Sequence, residues 1–279
     1  MNAIKTTVLL AALTGLFLGV GFLLGGLPGV IIAFVIALAM NFFAYWSSDK
    51  LALRMAGAHE VSMQEQPRLH STIEEVAAQA GMPKPKVYLI QNDTPNAFAT
   101  GRNPQHAAVA VTTGIISLLS ERELRGVLGH ELGHVKNRDI LTSSIVATIA
   151  GAISMLAFIS LFFRNSRSPY AVLAFLLAWI IAPLAAGLIR AAISRTREYQ
   201  ADVTGAEVTH DPEALASALE KLEQGVAARP MEATPIAESV AHLYIVHPFR
   251  AGGIANLFST HPPIEDRVRR LRDMAYRRP

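Results

Sequence analysis

Four long apolar runs constrain this chain of 279 residues more than any other feature. Each is long enough to cross the hydrocarbon core of a bilayer, which is roughly 30 Å thick. Arg190, near the end of the last run, is their only charged residue, so burial as core helices of a soluble protein explains them poorly. The runs therefore predict four transmembrane helices, at residues 6–24 (TM1), 28–46 (TM2), 141–163 (TM3) and 170–193 (TM4).

The rest of the sequence forms two polar pieces that are separated by an even number of predicted spans. They therefore lie on the same side of the membrane and can share one site. Lys and Arg flank the spans on that side, and the positive-inside rule places it, with both termini, in the cytoplasm. Only Arg164 and Arg167, in the opposite loop, argue against this orientation. The predicted domains are 1–46 and 141–193 as membrane hairpins, and 47–140 and 194–279 as the two parts of one cytosolic unit.

The composition excludes several kinds of site and partner. The chain has no cysteine, which removes disulfides, thiolate metal ligands and cysteine nucleophiles, so a metal must be held by His, Asp or Glu. Much of the basic excess behind the net charge of +3 lies in the last turns, where an anionic lipid surface explains it as well as nucleic acid does. We expect contact with the lipid bilayer and no nucleic-acid partner.

Local patterns predict the secondary structure of the cytosolic unit. Short β-prone runs at 87–90, 97–99 and 107–112 predict a small antiparallel sheet. Two capping-box patterns predict helix starts, the first for a helix that ends at about Ala80 and the second for the helix that carries residues 127–139. Further helices are expected from Pro212 to about Glu223 and from Ile264 onward. The boxes are formed by Ser62 with Glu65 and by Ser120 with Glu123.

The helix that begins at the capping box of Ser120 and Glu123 carries the sequence H-E-L-G-H. His130 and His134 are four residues apart, so both project from one helical face and can chelate one Zn²⁺. Glu131 is offset around the helix, where it can reach a metal-bound water without binding the metal itself. Zinc lowers the pKa of that water from about 15.7 toward 7, and the carboxylate can take its proton. This motif predicts a metal-dependent hydrolase.

A catalytic zinc needs a third protein ligand. The extended pattern H-E-x-x-H-x-x-G-x-x-H is not met, because Asn137 and Ile140 stand where Gly and His are required. Glu198 and Asp202, again four residues apart, follow the fourth apolar run on the same side of the membrane. One of these carboxylates can bind zinc while the other accepts the N–H of a zinc histidine.

The chain resembles the HtpX heat-shock membrane metallopeptidases in its spans, its length and four motifs. The resemblance implies one Zn²⁺ per chain, held by His130, His134 and Glu198, with Glu131 as the catalytic base. Asp202 is then the carboxylate that accepts from a zinc histidine. The motifs are H-E-L-G-H-V at 130–135, R-E-Y-Q-A-D at 197–202, N-A-F-A-T-G at 96–101 and H-P-P-x-x-x-R at 261–267.

The same resemblance implies a mainly α-helical integral membrane protein of the bacterial inner membrane. Four transmembrane helices would carry a cytosolic α+β peptidase domain of the gluzincin type. Such an enzyme is an endopeptidase that cleaves misfolded or damaged membrane proteins in stress response and quality control. Oligomeric state, substrate identity and regulation stay open.

Weaker expectations concern residues around the metal. Asn96, Ala97, Phe98 and Ala99 resemble an edge strand that would bind an extended substrate by main-chain hydrogen bonds. His261 and Arg267 are candidate donors to the oxyanion of the tetrahedral intermediate. Asp139, at the membrane end of the metal-binding helix, is compatible with either a structural or a supporting role.

Two alternatives compete with this interpretation. The related CAAX prenyl endopeptidases share the motifs and process lipidated substrates, but they have more spans and a larger chain. A non-catalytic membrane scaffold or a transporter could carry H-E-x-x-H by chance. Transporters usually place ionisable groups inside their spans, whereas here the candidate chemistry lies outside them.

Overall fold

The computed structural model describes residues 2–146, 195–249 and 262–276. Predicted TM4, TM3 beyond residue 146, His261 and the two arginines of the opposite loop lie outside the described residues. The described chain is mostly helical and contains one small sheet. Its helices are α1 (Asn2–Met55), α2 (Pro67–Ala80), α3 (Thr113–Leu118), α4 (Glu121–Lys136), α5 (Arg195–Thr209), α6 (Pro212–Ala228), α7 (Pro235–Val240) and α8 (Ile264–Tyr276).

The long helix α1 is broken into two apolar halves. The break lies at Gly25 and Gly26, and Gly26 has a φ of 57°, which glycine adopts without strain. Nδ2 of Asn41 in the second half donates to Oγ1 of Thr14 in the first at 2.8 Å. The two halves therefore run antiparallel beside each other as a hairpin. The second half continues as helix to Met55, well beyond the predicted end of TM2.

The second half of α1 has the character of a membrane helix. Gly25–Met55 is the one helix of the described residues that is long and apolar enough to cross a membrane, with a mean hydropathy of 2.3. Only 17% of its most apolar window is buried within the protein, and large side chains such as Ile31 and Phe42 are exposed. One candidate span is thus described, and the count of four stays a prediction.

The sheet is mixed, so the prediction of an antiparallel sheet is wrong. Its strands are β1 (Ala58–Glu60), β2 (Lys86–Ile90), β3 (Ala97–Gly101) and β4 (Ala107–Thr112). The strand order is β1-β2-β4-β3, in which β2 and β4 are parallel while the other two pairs are antiparallel. The chain after β2 first crosses to the outer position to form β3 and then turns back to place β4 between the two. Strand β1 was not predicted.

Both faces of β3 and β4 are buried, which explains why β4 is apolar from Ala107 to Val111. Val109 and Val111 face the main core, which is shared with α2, α4 and α6. Ala108 and Ala110 face a second cluster, which includes Leu53 near the end of α1. The period-2 alternation of side chains therefore joins the main core to the end of the candidate membrane helix.

The predicted helix starts are partly confirmed. Ser120 and Glu123 form both bonds of a capping box at the start of α4. Ser62 and Glu65 form the same two bonds, yet they close only a turn, and α2 begins later at Pro67. The fixed φ of proline suits the first helical position, which accounts for the later start. Helix α6 extends to Ala228 rather than to about Glu223, and α8 starts at Ile264 as predicted.

Helices α4 and α5 approach each other through glycine. A Cβ added to Gly205 of α5 would lie 2.6 Å from the backbone nitrogen of His130 and 2.8 Å from the carbonyl carbon of Gly129. Neither neighbour can move aside, because both are backbone atoms. This contact fixes the distance between the helix that carries the two histidines and the helix that carries Glu198.

We expect Gly205→Ala to destabilise the protein by about 1–3 kcal/mol through overpacking. Alanine normally favours a helix over glycine by about 1 kcal/mol, so a loss of stability at this position would be diagnostic. Gly19→Ala is the matched control, since a Cβ there meets nothing within 4 Å. Thermal unfolding in detergent should place Gly205→Ala below wild type and Gly19→Ala at or above it. Equal melting temperatures for Gly205→Ala and wild type would contradict the close contact.

Candidate metal centre

The two histidines of α4 meet Glu198 of α5 in a buried cluster. One potential ligand atom from each of His130, His134 and Glu198 lies within 4.8 Å of the others. Nε2 of His130 is 3.8 Å from one carboxylate oxygen of Glu198, and Nε2 of His134 is 3.5 Å from the other. Both imidazoles thus direct the same ring nitrogen toward the same carboxylate.

The other ring nitrogen of each histidine is occupied by an aspartate. Nδ1 of His130 is 2.8 Å from Oδ1 of Asp202, and Nδ1 of His134 is 3.2 Å from Oδ2 of Asp139. An aspartate that accepts from Nδ1–H fixes the tautomer and leaves the lone pair of Nε2 free to bind a metal. The arrangement therefore places two neutral-imidazole donors opposite one carboxylate.

A buried arginine lies behind Asp202. Nε and Nη2 of Arg267 donate to the two carboxylate oxygens of Asp202 at 2.8 and 2.6 Å, and Nη1 donates to the carbonyl oxygen of Ile245 at 3.1 Å. Burial would raise the pKa of Asp202, but Arg267 and His130 outweigh burial and lower it to about 2. Asp202 is therefore a permanent carboxylate at neutral pH.

Glu131 lies in the same buried site, next to His130 but not among the three clustered groups. Its side chain accepts a hydrogen bond from the backbone N–H of Ala99 in β3. Burial raises the pKa of the Glu131 carboxyl from 4.5 to about 8. Such a carboxyl is a stronger base than an exposed one and can both take and return a proton near neutral pH.

The charges of the site fit a divalent cation. Burial lowers the pKa of His130 to about 4, so its imidazole is neutral at pH 7. Burial also lowers that of His134, but Glu198 and Asp139 outweigh it and raise the pKa to about 9. The raised value reports a local excess of negative charge. A cation bound between the Nε2 atoms and Glu198 would balance that charge in place of the His134 proton.

The predicted substrate strand is an edge strand, but the start of its edge is already paired. The side-chain amide of Asn96, just before β3, donates to the carbonyl oxygen of Val246 at 2.7 Å, and the carbonyl oxygen of Ala97 accepts from the N–H of Ile245 at 3.0 Å. Phe98 points to the opposite face and packs edge-on against Tyr244. Of the four predicted residues, Ala99 alone directs a backbone group toward the cluster.

Sequence reasoning left one neighbour of the cluster unassigned. Asp139 lies five residues after His134, so helical periodicity alone would not bring it under that ring. Arg138 has a φ of 59°, and this left-handed residue turns the chain so that Asp139 reaches Nδ1. The sequence feature that could have predicted this contact is an aspartate placed directly after a helix that ends in a tight turn.

Two histidines one turn apart on an H-E-x-x-H helix, facing a glutamate from a later helix, define a metal-dependent peptidase. The chain belongs to peptidase family M48, whose family model matches residues 63–275. It is therefore a metallopeptidase, and the alternative of a non-catalytic scaffold or transporter is wrong.

Similar proteins cover the whole chain. A protease HtpX homolog of Methylibium petroleiphilum is 54% identical over 280 residues, with 99% of each chain covered. A protease HtpX homolog of Persephonella marina is also 54% identical, again over 99% of each chain. The resemblance to the HtpX proteases is thereby confirmed.

The fold is also similar to that of a solved structure. The crystal structure of S. mikatae Ste24p matches with a TM-score of 0.52 and 19% identity, covering 96% of this chain. This chain spans only 65% of the Ste24p chain. The likeness concerns the fold alone. The family match and the HtpX relatives identify the chain as a membrane-associated metalloprotease.

We expect Arg267→Met to destabilise the protein by about 3–5 kcal/mol, because it leaves the carboxylate of Asp202 buried without its partner. Arg269→Met is the matched control, since the Arg269 side chain is 67% exposed whereas that of Arg267 is fully buried. Differential scanning fluorimetry in detergent should show a large loss of melting temperature for Arg267→Met and almost none for Arg269→Met. Similar melting curves for the two variants would contradict the structural role of the buried pair.

Proposed function

We propose that this metallopeptidase is a zinc-dependent endopeptidase that uses Glu131 as its general base. The convergence of both Nε2 atoms on Glu198, with an aspartate on each Nδ1, is the observation that carries the proposal. Two histidines and one glutamate form a known ligand set of catalytic zinc, and a chain without cysteine offers no competing thiolate set. The proposed ligands are His130, His134 and Glu198.

A bound Zn²⁺ supplies Lewis-acid polarisation and lowers the pKa of a coordinated water toward 7. The residues of this chain supply the rest. Glu131 takes a proton from the attacking water and can return it to the leaving amine, since burial holds its pKa close to neutrality. Asp202 holds His130 in the tautomer that presents Nε2.

Arg267 is better suited to position Asp202 than to stabilise an oxyanion. Two of its nitrogens are bonded to Asp202 and the third to the carbonyl oxygen of Ile245. A side chain held in this way cannot turn toward a substrate carbonyl without breaking those bonds. An oxyanion role stays a prediction for His261, which lies outside the described residues.

We place the substrate main chain against the half of the β3 edge that begins at Ala99. Asn96 and Ala97 are paired with residues 245–246 of the same chain, so they would shape the end of the substrate groove rather than bind substrate. Main-chain pairing is tolerant of sequence, which suits an enzyme that acts on varied unfolded polypeptides.

Membrane proteins are the proposed substrates, and the cytoplasmic face of a bacterial inner membrane is the proposed location. The sheet packs on the end of the candidate span α1, and residues 140–146 enter the third apolar run shortly after α4 ends. The cluster therefore lies beside the chain segments that are expected to enter the bilayer. A four-span topology with both termini in the cytoplasm, and the domains 1–46, 47–140, 141–193 and 194–279, belong to this proposal.

Glu131→Gln should retain zinc and lose cleavage of an unfolded protein such as casein in detergent. Glutamine matches glutamate in size but cannot accept the proton of the attacking water. Metal analysis and casein cleavage should be measured together, with Glu121→Gln as a matched control at an exposed position on the same helix. Full activity of Glu131→Gln would exclude the proposed mechanism.

Glu198→Ala should lower the zinc content of the purified protein, because it removes one of three ligands. Glu207→Ala, at an exposed position on the same helix, should keep the wild-type zinc content. Elemental analysis after dialysis checks both variants. If zinc content is unchanged in Glu198→Ala, the third ligand lies elsewhere in the chain.

A further inference from the structure

We propose that Asp139 and Arg197, together called the junction pair, are positioning residues that orient His134 for metal binding. The inference rests on the proposed zinc function. Nδ1 of His134 is 3.2 Å from Oδ2 of Asp139, and Nη1 of Arg197 is 3.8 Å from Oδ1 of the same carboxylate. The side chains of Asp139 and Arg197 are only 4% and 10% exposed. The two carboxylate oxygens are thus divided between the imidazole and the guanidinium.

The junction pair resembles the arrangement on the other histidine, with a longer ion pair between arginine and aspartate. There, Asp202 accepts from Nδ1 of His130 and is itself held by the guanidinium of Arg267. Each histidine therefore has an aspartate on Nδ1 and an arginine behind that aspartate. A nearby cation offsets part of the cost of burying a carboxylate. In the junction pair Arg197 supplies that cation.

The junction pair lies where the metal site meets an apolar run of the chain. Arg197 immediately precedes Glu198. These two consecutive residues therefore provide a proposed metal ligand and the cation beside the aspartate that holds His134. Asp139 begins the helix that leads into the third apolar run, since its carbonyl oxygen accepts from the N–H of Ser143 at 3.2 Å. The orientation of His134 is therefore set where α4 ends and the next apolar helix begins.

The first turn of the helix that begins after Asp139 is held by two further contacts. Oγ of Ser144 lies 2.6 Å from Oγ1 of Thr100 in β3, and Nε2 of His242 is 3.2 Å from the carbonyl oxygen of Ser143. These contacts hold the backbone of residues 139–146 against the sheet. They give Asp139 a rigid base from which its carboxylate can hold the ring of His134.

The test must separate this positioning role from a role in starting the helix, because aspartate is a favoured N-cap residue. Asp139→Ser keeps a good N-cap, but its side chain is too short to reach Nδ1 of His134. Asp139→Asn keeps both the cap and an acceptor oxygen but removes the charge. Arg197→Met removes the cation while it keeps much of the apolar stem.

We expect Asp139→Ser and Arg197→Met to weaken Zn²⁺ binding about 10–100-fold, as the loss of partners behind a ligand generally does. Asp139→Asn should lie between these variants and wild type. Affinity is measured by competition with a chelator on the full chain in detergent. The visible spectrum of the Co²⁺-substituted protein should change in Asp139→Ser, because the orientation of one ligand changes. Asp273→Asn and Arg195→Met, at exposed positions, are matched controls that should retain wild-type affinity.

The melting temperature of the metal-free protein distinguishes positioning from simple folding. Asp139→Ser and Asp139→Asn should melt close to metal-free wild type and still differ from it in Zn²⁺ affinity. Wild-type affinity and an unchanged Co²⁺ spectrum in Asp139→Ser would overturn the proposal. Failure of the proposed function has a different signature, since wild-type protein would then bind Zn²⁺ independently of Glu198.

Discussion

The backbone contact between α4 and α5 determines where every group of the proposed site can lie. Gly205 and Gly129 remove the side chains that would otherwise separate these two helices. Without a Cβ at either position the helices approach closely, and a carboxylate from one can reach the imidazoles of the other. A separation larger by one methyl group would move Glu198 out of the range in which three short side chains can share one ion.

Buried charges orient the histidine side chains that this helix contact brings together. An aspartate lies on Nδ1 of each histidine and an arginine lies behind each aspartate, so the imidazoles are held from the side opposite Glu198. Such pairs are weak contributors to stability, because desolvation offsets much of their attraction. Their value here is geometric: they select one tautomer and one ring orientation. The remaining negative charge favours a divalent cation.

The candidate span α1 packs directly on the peptidase fold. Ala52 and Leu53, near the end of α1, pack against the outer face of the sheet, while the inner face packs on the helices of the metal site. The chain that leaves α4 reaches the third apolar run after one tight turn.

Patterns that depend on a few neighbouring residues predicted the local structure well. The capping box of Ser120 and Glu123, the H-E-x-x-H spacing and the apolar length of α1 each state a local requirement that the structure meets. The antiparallel sheet was a wrong prediction, because strand order depends on which strand the chain inserts beside β2. No local pattern of the β3–β4 hairpin records that choice.

The sequence by itself predicted the kind of site: two histidines, a neighbouring glutamate, two downstream carboxylates and no cysteine restrict a bound metal to nitrogen and oxygen ligands. Tertiary structure decided how those groups are used. It paired Asn96 with Val246, turned Arg267 toward Asp202 and brought Asp139 under His134. Each outcome depends on contacts between segments far apart in the chain or on a single left-handed residue. Residue spacing in the sequence predicts the kind of site, and only the folded chain shows which of these residues contact one another.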